Sequence, residues 1–239
     1  MSNPHIVKAF DQELRALTRS VGAMGEFAGA QFAHAMQALL THDIALAQRV
    51  IDQDLQLDAL RRDLSTAAAA VIARRQPMAV DLDEVLADFR IADDLERIGD
   101  LAKNIARRAT AVAAERFPED VVDSLKRLSA LASVQLGRAL EIYRARDAEQ
   151  ALAVRDEDDQ IDELHAEIFR DIVARMSADN SHVAGLVHLL FCAKNIERIG
   201  DHATQIAEAA CVAASDRRPT PPGPESGGTP EADRSAGRA

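Results

Sequence analysis

Aromatic residues are scarce in this chain of 239 residues, which has no Trp, one Tyr and seven Phe. Proteins that bind single-stranded nucleic acids combine aromatic side chains, on which bases stack, with a basic surface. Here 39 acidic residues outnumber 28 basic ones, and the formal net charge is −11. A negatively charged chain is repelled by a phosphate backbone. The composition therefore argues against a nucleic-acid-binding protein.

Cysteines and long apolar runs are also lacking. Cys192 and Cys211 are the two cysteines, too few for the disulfide framework of a small secreted domain. The N-terminal stretch Met1–Glu13 has no apolar signal segment. The longest apolar stretch, Val183–Ala193, is interrupted by His188 and is too short to span a bilayer. These absences predict a soluble cytoplasmic protein with buried, reduced thiols.

Proline is concentrated at the C-terminal end of the chain. No Val, Ile, Leu or Phe occurs after Val212, and five of the eight prolines lie in this last segment. Such a segment buries too little apolar surface to offset the entropy of ordering it. We therefore predict a disordered tail over residues 215–239.

The residues before the tail are patterned as helices. Strong helix formers dominate, and apolar residues recur at spacings of three and four, as in Leu189, Cys192, Ile196 and Ile199. Breaks are few, and Pro77 and Pro118 mark two of them. The pattern predicts an all-α fold with six long helices, at about 4–41, 43–75, 79–115, 118–146, 148–177 and 181–214.

The chain contains an internal repeat. The segment Asp94–Asp100, with the sequence DLERIGD, returns 101 residues later as NIERIGD at Asn195–Asp201. Upstream, the pair Asp54 and Asp58 returns 104 residues later as Asp158 and Asp162. The repeat predicts two tandem, pseudo-symmetric three-helix bundles, over residues 1–116 and 117–214, because long helices joined by short loops pack as antiparallel neighbours.

Each repeat carries two pairs of acidic residues spaced four apart, which places both members of a pair on one helix face. Four gathered carboxylates need protons, basic partners or a cation, and oxygen ligands favour iron, manganese, magnesium or calcium. The other interpretation is a solvated acidic surface paired with Arg97 and Arg198. The eight candidate metal ligands are Asp54, Asp58, Glu96, Asp100, Asp158, Asp162, Glu197 and Asp201.

Helical geometry also predicts where these pairs point. At about 100° per residue, they lie away from the apolar stripes, so we expect them on the outer surface of each bundle. Gly99 and Gly200 stand inside strong helical patterns and indicate either a close approach of helices or space for a ligand. His202 has no counterpart, since Leu101 stands at the matching position, and is interpreted as a surface histidine. Lys103 is not repeated either, since Thr204 stands at the matching position, and it is interpreted as a residue that borders the first site.

The doubled E-R-I-G-D motif at 96–100 and 197–201, in twin three-helix halves, resembles the PhoU family over about residues 4–214. The resemblance implies a non-enzymatic, often dimeric cytoplasmic protein that represses the phosphate-starvation response and modulates phosphate uptake. The resemblance also implies that the protein links the phosphate ABC transporter, through its ATPase subunit PstB, to the sensor histidine kinase PhoR.

Some members of that family bind iron or other metals through Glu/Asp-x-x-x-Asp motifs. Carried over by position, this implies one site at Asp54, Asp58, Glu96 and Asp100, and another at Asp158, Asp162, Glu197 and Asp201. The chain departs from the family pattern in having Asp where the upstream pairs usually have Glu, which leaves the metal open.

Two other functions compete with this one. A di-iron or di-manganese carboxylate enzyme would need Glu-x-x-His motifs on facing helices, and the nearest approach here, Asp162-x-x-His165, has no partner in the other repeat. A helical scaffold, with or without bound metal, is the other alternative. No phosphate-binding loop, nucleophile elbow or dinucleotide fingerprint is present.

Overall fold

In the computed structural model of the chain, residues 4–146 and 151–215 are described, with side chains over 8–146, at 154 and over 158–214. Six long helices are present, as predicted: α1 (Pro4–Thr41), α2 (Ile44–Arg75), α3 (Val80–Ala111), α4 (Glu119–Ala145), α5 (Ala151–Ala178) and α6 (Val183–Ser215). A short 3-10 turn at Asn180–His182 precedes α6. The predicted start of the fifth helix at 148 lies outside the described residues, as does the predicted disordered tail beyond Ser215.

Local residues mark where several of the helices begin and end, and the connections between helices are short. Asp43 accepts a hydrogen bond from the backbone N–H of Leu46 at 2.9 Å and so caps the start of α2. Gln76 ends the same helix in the left-handed conformation, immediately before Pro77. Pro118 stands just before α4, whose first turn contains two acidic residues that favour the helix N-terminus.

The two helices that carry the repeated motif form the centre of the molecule. Leu95, Ile98 and Ile105 of α3 are fully buried, and so are their counterparts in α6, Ile196, Ile199 and Ile206. All six belong to one hydrophobic core that draws residues from every helix, and α3 packs along α6. The two pseudo-symmetric halves therefore share a single core, with the repeated helices back to back.

Gly99 and Gly200 allow neighbouring helices to approach these central helices closely. A Cβ atom on Gly99 would lie 2.3 Å from Leu57 Cδ2 and 3.0 Å from Gln31 Oε1. A Cβ on Gly200 would lie 2.9 Å from Gln135 Oε1 and 3.0 Å from a methyl group of Ile161. The neighbours at the two positions correspond across the repeat, so the structure supports the close-approach interpretation of both glycines.

Replacing Gly99 with alanine is expected to lower the free energy of unfolding by up to about 2 kcal/mol. Leu57 is fully buried, so its displacement overpacks the core at a cost of about 1–3 kcal/mol, against a helix-propensity gain of about 1 kcal/mol. Urea denaturation measures the change. Gly137→Ala is the matched control, because nothing lies within 4 Å of its added Cβ, and it should be stabilising. Equal effects at both positions would contradict the packing argument.

One buried carboxylate lies where the two halves meet. Asp88 of α3 is 1% exposed and accepts a hydrogen bond from the Tyr143 hydroxyl of α4 at 2.5 Å. Its second oxygen has no hydrogen-bond partner among the described residues. Burial raises the pKa of Asp88 to about 7, against the smaller opposing effect of the Tyr143 hydrogen bond. Nearby, Arg146 donates to the buried carboxylate of Glu84.

None of the helices in the described part of the chain contains an apolar stretch long enough to cross a membrane.

Candidate functional site

The predicted ligands of the first half are gathered between α2 and α3. Lys103 Nζ donates to Asp54 Oδ2 of α2 at 2.6 Å and to Asp100 Oδ1 of α3 at 2.5 Å. Burial opposes the charged ammonium, but the hydrogen bonds to these two carboxylates outweigh it and raise the pKa of Lys103. We name this group the first acidic cluster, with the carboxylates of Asp54, Asp58, Glu96 and Asp100.

The other two carboxylates of the first acidic cluster influence each other electrostatically. Burial raises the pKa of Glu96, followed by repulsion from Asp100 and, more weakly, from Asp58. Arg97 partly offsets this effect, since its guanidinium lies 3.6 Å from Glu96 Oε2 and 3.7 Å from Asp100 Oδ2. The predicted ion pairing is thus seen for Arg97, but no ion pair of Arg198 occurs among the described residues.

The second half gathers its carboxylates differently. One oxygen each from Asp162 of α5 and from Glu197 and Asp201 of α6 lies within 4.8 Å of the others. We name these three, together with Asp158, the second acidic cluster. Lys194 Nζ donates to Glu197 Oε1 at 2.5 Å, but among the described residues no ammonium or guanidinium group forms an ion pair with two of these carboxylates.

Asp158 is held beside this triad by a neutral amide. Gln135 of α4 is fully buried, and its Nε2 donates to Asp158 Oδ1 at 3.1 Å and to Thr204 Oγ1 at 3.0 Å. The upstream aspartate of the second half therefore has an uncharged partner. The repulsion of Asp158 still contributes to the raised pKa values of Asp162 and Asp201.

The burial of the eight candidate ligands differs from the expectation of an outer surface. Asp54 is 7% exposed and Glu197 is 8% exposed, so the expectation is wrong for these two. Asp162 is exposed, and the remaining five are half-buried. The reason is the close packing at Gly99 and Gly200. It brings the helices that bear each pair together and buries one carboxylate of each cluster between them.

The electrostatics of the second acidic cluster suit a divalent cation. Burial raises the pKa values of Asp162 and Asp201, and repulsion from Glu197 is the next largest cause of both shifts. Glu197 Oε2 is buried with no hydrogen-bond partner among the described residues. A buried carboxylate oxygen without a partner is costly, and convergent carboxylates are the ligands that hard cations prefer. The residues present therefore fit such an ion.

Comparisons with known proteins agree with the doubled architecture. The family model described as the PhoU domain matches twice, at residues 21–109 and 125–210. The chain belongs to the PhoU family. A relative from Rhizobium meliloti, named "Phosphate-specific transport system accessory protein PhoU homolog", is 46% identical over 92% of each chain. The relatives are named as accessory proteins of a phosphate transport system, and the PhoU family is non-enzymatic, so this family member is not an enzyme.

Solved structures of PhoU proteins have the same fold. The crystal structure of PhoU from Pseudomonas aeruginosa matches with a TM-score of 0.82 and 30% identity, covering 85% of this chain and 98% of that one. The phosphate transport system regulatory protein PhoU from Streptococcus pneumoniae matches with a TM-score of 0.80 over 86% of this chain and 97% of that one. At 24% identity, the second match shows the fold alone.

Two features of this PhoU family member were missed in the sequence. Gln31 and Gln135 lie against the motif glycines, and their separation of 104 residues, the same as that of the upstream aspartates, could have revealed them. His202 is not a surface histidine, because it is 15% exposed and its Nδ1 lies 2.9 Å from Asp94 Oδ1. This contact joins α6 to α3, and no sequence signal indicates it.

Proposed function

We propose that this chain represses the phosphate-starvation response and modulates phosphate uptake. In this proposal it acts in the cytoplasm as an adaptor between the phosphate ABC transporter and its sensor histidine kinase. The observation that carries the proposal is family membership over both halves, together with a relative named for phosphate-specific transport that is 46% identical over 92% of this chain.

The mechanism we propose is binding without chemistry. A rigid helical body docks on the transporter's ATPase subunit or on the kinase and favours one of two conformations of that partner. Such a shift requires different affinities for the two conformations. The net charge of −11 favours docking on basic partner surfaces, which speeds association and selects among partners. The homodimer implied by the family resemblance stays a prediction.

A pull-down from membranes tests the adaptor proposal. The purified chain is immobilised and incubated with detergent-solubilised membranes from cells grown with high or low phosphate. We expect the ATPase subunit or the kinase to be retained, in amounts that differ between the two conditions. Beads carrying an unrelated acidic helical protein are the control. Retention of neither partner above that control, under both conditions, would contradict the proposal.

We also propose that the second acidic cluster binds a divalent cation, with Asp162, Glu197 and Asp201 as ligands. Two observations support this site: their oxygens converge within 4.8 Å, and Glu197 is about nine-tenths buried with one oxygen unpartnered among the described residues. Manganese, iron, magnesium and calcium all accept oxygen ligands. Metal binding without retention of a partner in the pull-down would favour the scaffold alternative.

The metal site is tested by adding manganese to the metal-free protein. We expect the Tm to rise, and the rise to be lost when these carboxylates are neutralised.

A further inference from the structure

We propose that Lys103 serves as a built-in cation in the first acidic cluster and excludes divalent metal ions there. The two halves of the chain are then chemically unequal, although their helices repeat. The contrast between the halves rests on the metal site proposed for the second acidic cluster. The exclusion in the first half rests on the contacts of Lys103 itself.

The position of the Lys103 ammonium is that of a bridging cation. Its nitrogen lies 2.6 Å from Asp54 Oδ2 and 2.5 Å from Asp100 Oδ1, on two different helices. Protein carboxylates bind Ca²⁺ at about 2.3–2.6 Å and Mg²⁺ at about 2.0–2.1 Å. A metal ion between these two oxygens would therefore have to displace the ammonium. Lys103 is 16% exposed, so displacing it would break two short charged hydrogen bonds in a largely buried site.

The second half has no equivalent of this lysine. The residue that corresponds to Lys103 in the repeat is Thr204, 101 positions later. Thr204 Oγ1 accepts a hydrogen bond from Gln135 Nε2, which also donates to Asp158. Asp158 is the counterpart of Asp54, so the same upstream aspartate is bound by an ammonium in one half and by an amide in the other.

The corresponding glutamines also differ in their hydrogen bonds between the two halves. Gln31 corresponds to Gln135 in the repeat, and both lie against the motif glycine of their own half. Both side-chain amide atoms of Gln31 are buried without a hydrogen-bond partner among the described residues. In the first half, Asp54 accepts a hydrogen bond from Lys103, and Gln31 does not bind it.

Charge balance separates the two clusters further. In the first, Lys103 and Arg97 both form ion pairs with the carboxylates. In the second, Lys194 forms an ion pair with Glu197 alone among the described residues. Glu197 Oε2 is buried without a partner, whereas every buried carboxylate oxygen of the first cluster has one within the described ranges. The carboxylates of the second acidic cluster are therefore less neutralised than those of the first, and they attract a divalent cation more strongly.

Exchanging the two corresponding residues tests this inference. Manganese binding is measured by equilibrium dialysis on the metal-free full-length chain. We expect Lys103→Thr to create manganese binding in a background carrying Asp162→Asn and Asp201→Asn, which by itself should bind none. We expect the reciprocal Thr204→Lys to abolish the binding shown by the wild type. Lys126→Thr, which changes an exposed helical lysine paired with Asp123, is the control and should leave binding unchanged.

A second pair of substitutions tests the inference without altering Lys103. Asp54→Asn with Asp100→Asn should leave wild-type manganese binding unchanged, because no metal binds there. A loss of binding in this variant would overturn the exclusion of metal, and so would failure of a folded Lys103→Thr chain to bind manganese in the neutralised background. A wild type that binds no manganese contradicts the site in the second half instead. The exclusion of metal from the first acidic cluster and the metal site in the second are therefore contradicted by different results.

Discussion

Replacing Asp88 with asparagine is expected to stabilise the protein by about 1–3 kcal/mol at pH 8 and to bring no net stabilisation at about pH 5. The folded state holds a proton on Asp88 up to about pH 7, whereas an unfolded aspartate loses it near pH 4. The contribution of Asp88 to stability therefore falls as the pH rises through that window. The raised pKa corresponds to about 3–4 kcal/mol at pH 8, a cost that asparagine does not have.

Denaturant unfolding at about pH 5 and pH 8 measures this effect. Asparagine keeps an acceptor for the Tyr143 hydroxyl but adds an unpartnered amine, which lowers the gain at both pH values by about 1–3 kcal/mol. The difference between the two pH values is therefore the sharper quantity, and we expect about 2–3 kcal/mol. Asp63→Asn, at an exposed helical position, is the control. A gain from Asp88→Asn that is the same at both pH values would contradict the burial of a titrating carboxylate.

Manganese is expected to raise the Tm of the metal-free protein by about 5–10 °C. A ligand at a hundred times its Kd stabilises the folded state by about 2.7 kcal/mol, and each kcal/mol shifts the Tm of a chain of this size by about 2–4 °C. Neutralising the triad with Asp162→Asn, Glu197→Gln and Asp201→Asn should abolish the shift. Thermal unfolding at neutral pH, with and without manganese, measures it.

The Tm of the neutralised triad without metal is a second result of this experiment. Repulsion from Glu197 contributes to the raised pKa values of Asp162 and Asp201, so the neutralised triad should melt no lower than the metal-free wild type. Glu208→Gln, on an exposed part of α6, is the control and should keep the manganese shift. An equal shift in the wild type and in the neutralised triad would remove these residues as ligands.

The helices and the doubling of the chain could be predicted from sequence because both are carried by local periodicity. Apolar spacings of three and four define each helix, and the shift of 101 residues between the two E-R-I-G-D motifs pairs the central helices. The same comparison brought the right carboxylates together in each half. Asp54 meets Asp100 through Lys103, and Asp162 meets Glu197 and Asp201.

The inequality of the two halves could not be predicted, because it depends on how side chains meet across helices. In the sequence Lys103 is one flanking residue among several, whereas in the structure its ammonium lies between Asp54 and Asp100. The shared core likewise depends on α3 packing along α6, and apolar stripes alone do not say which stripes meet. Helical periodicity also predicted that Glu197 lies on the outer surface. Periodicity describes one helix at a time and cannot show where a neighbouring helix packs closely enough to bury a side chain.

Phosphate-responsive transcription in cells that lack this chain is the most direct test of the proposed regulatory function. With phosphate in excess, we expect a phosphate-starvation promoter to become active and phosphate uptake to change when the gene is deleted. Both should return to normal when the wild-type gene is restored. A promoter that stays repressed, with uptake unaltered in the deletion strain, would contradict the assignment of this chain as a repressor of the phosphate-starvation response.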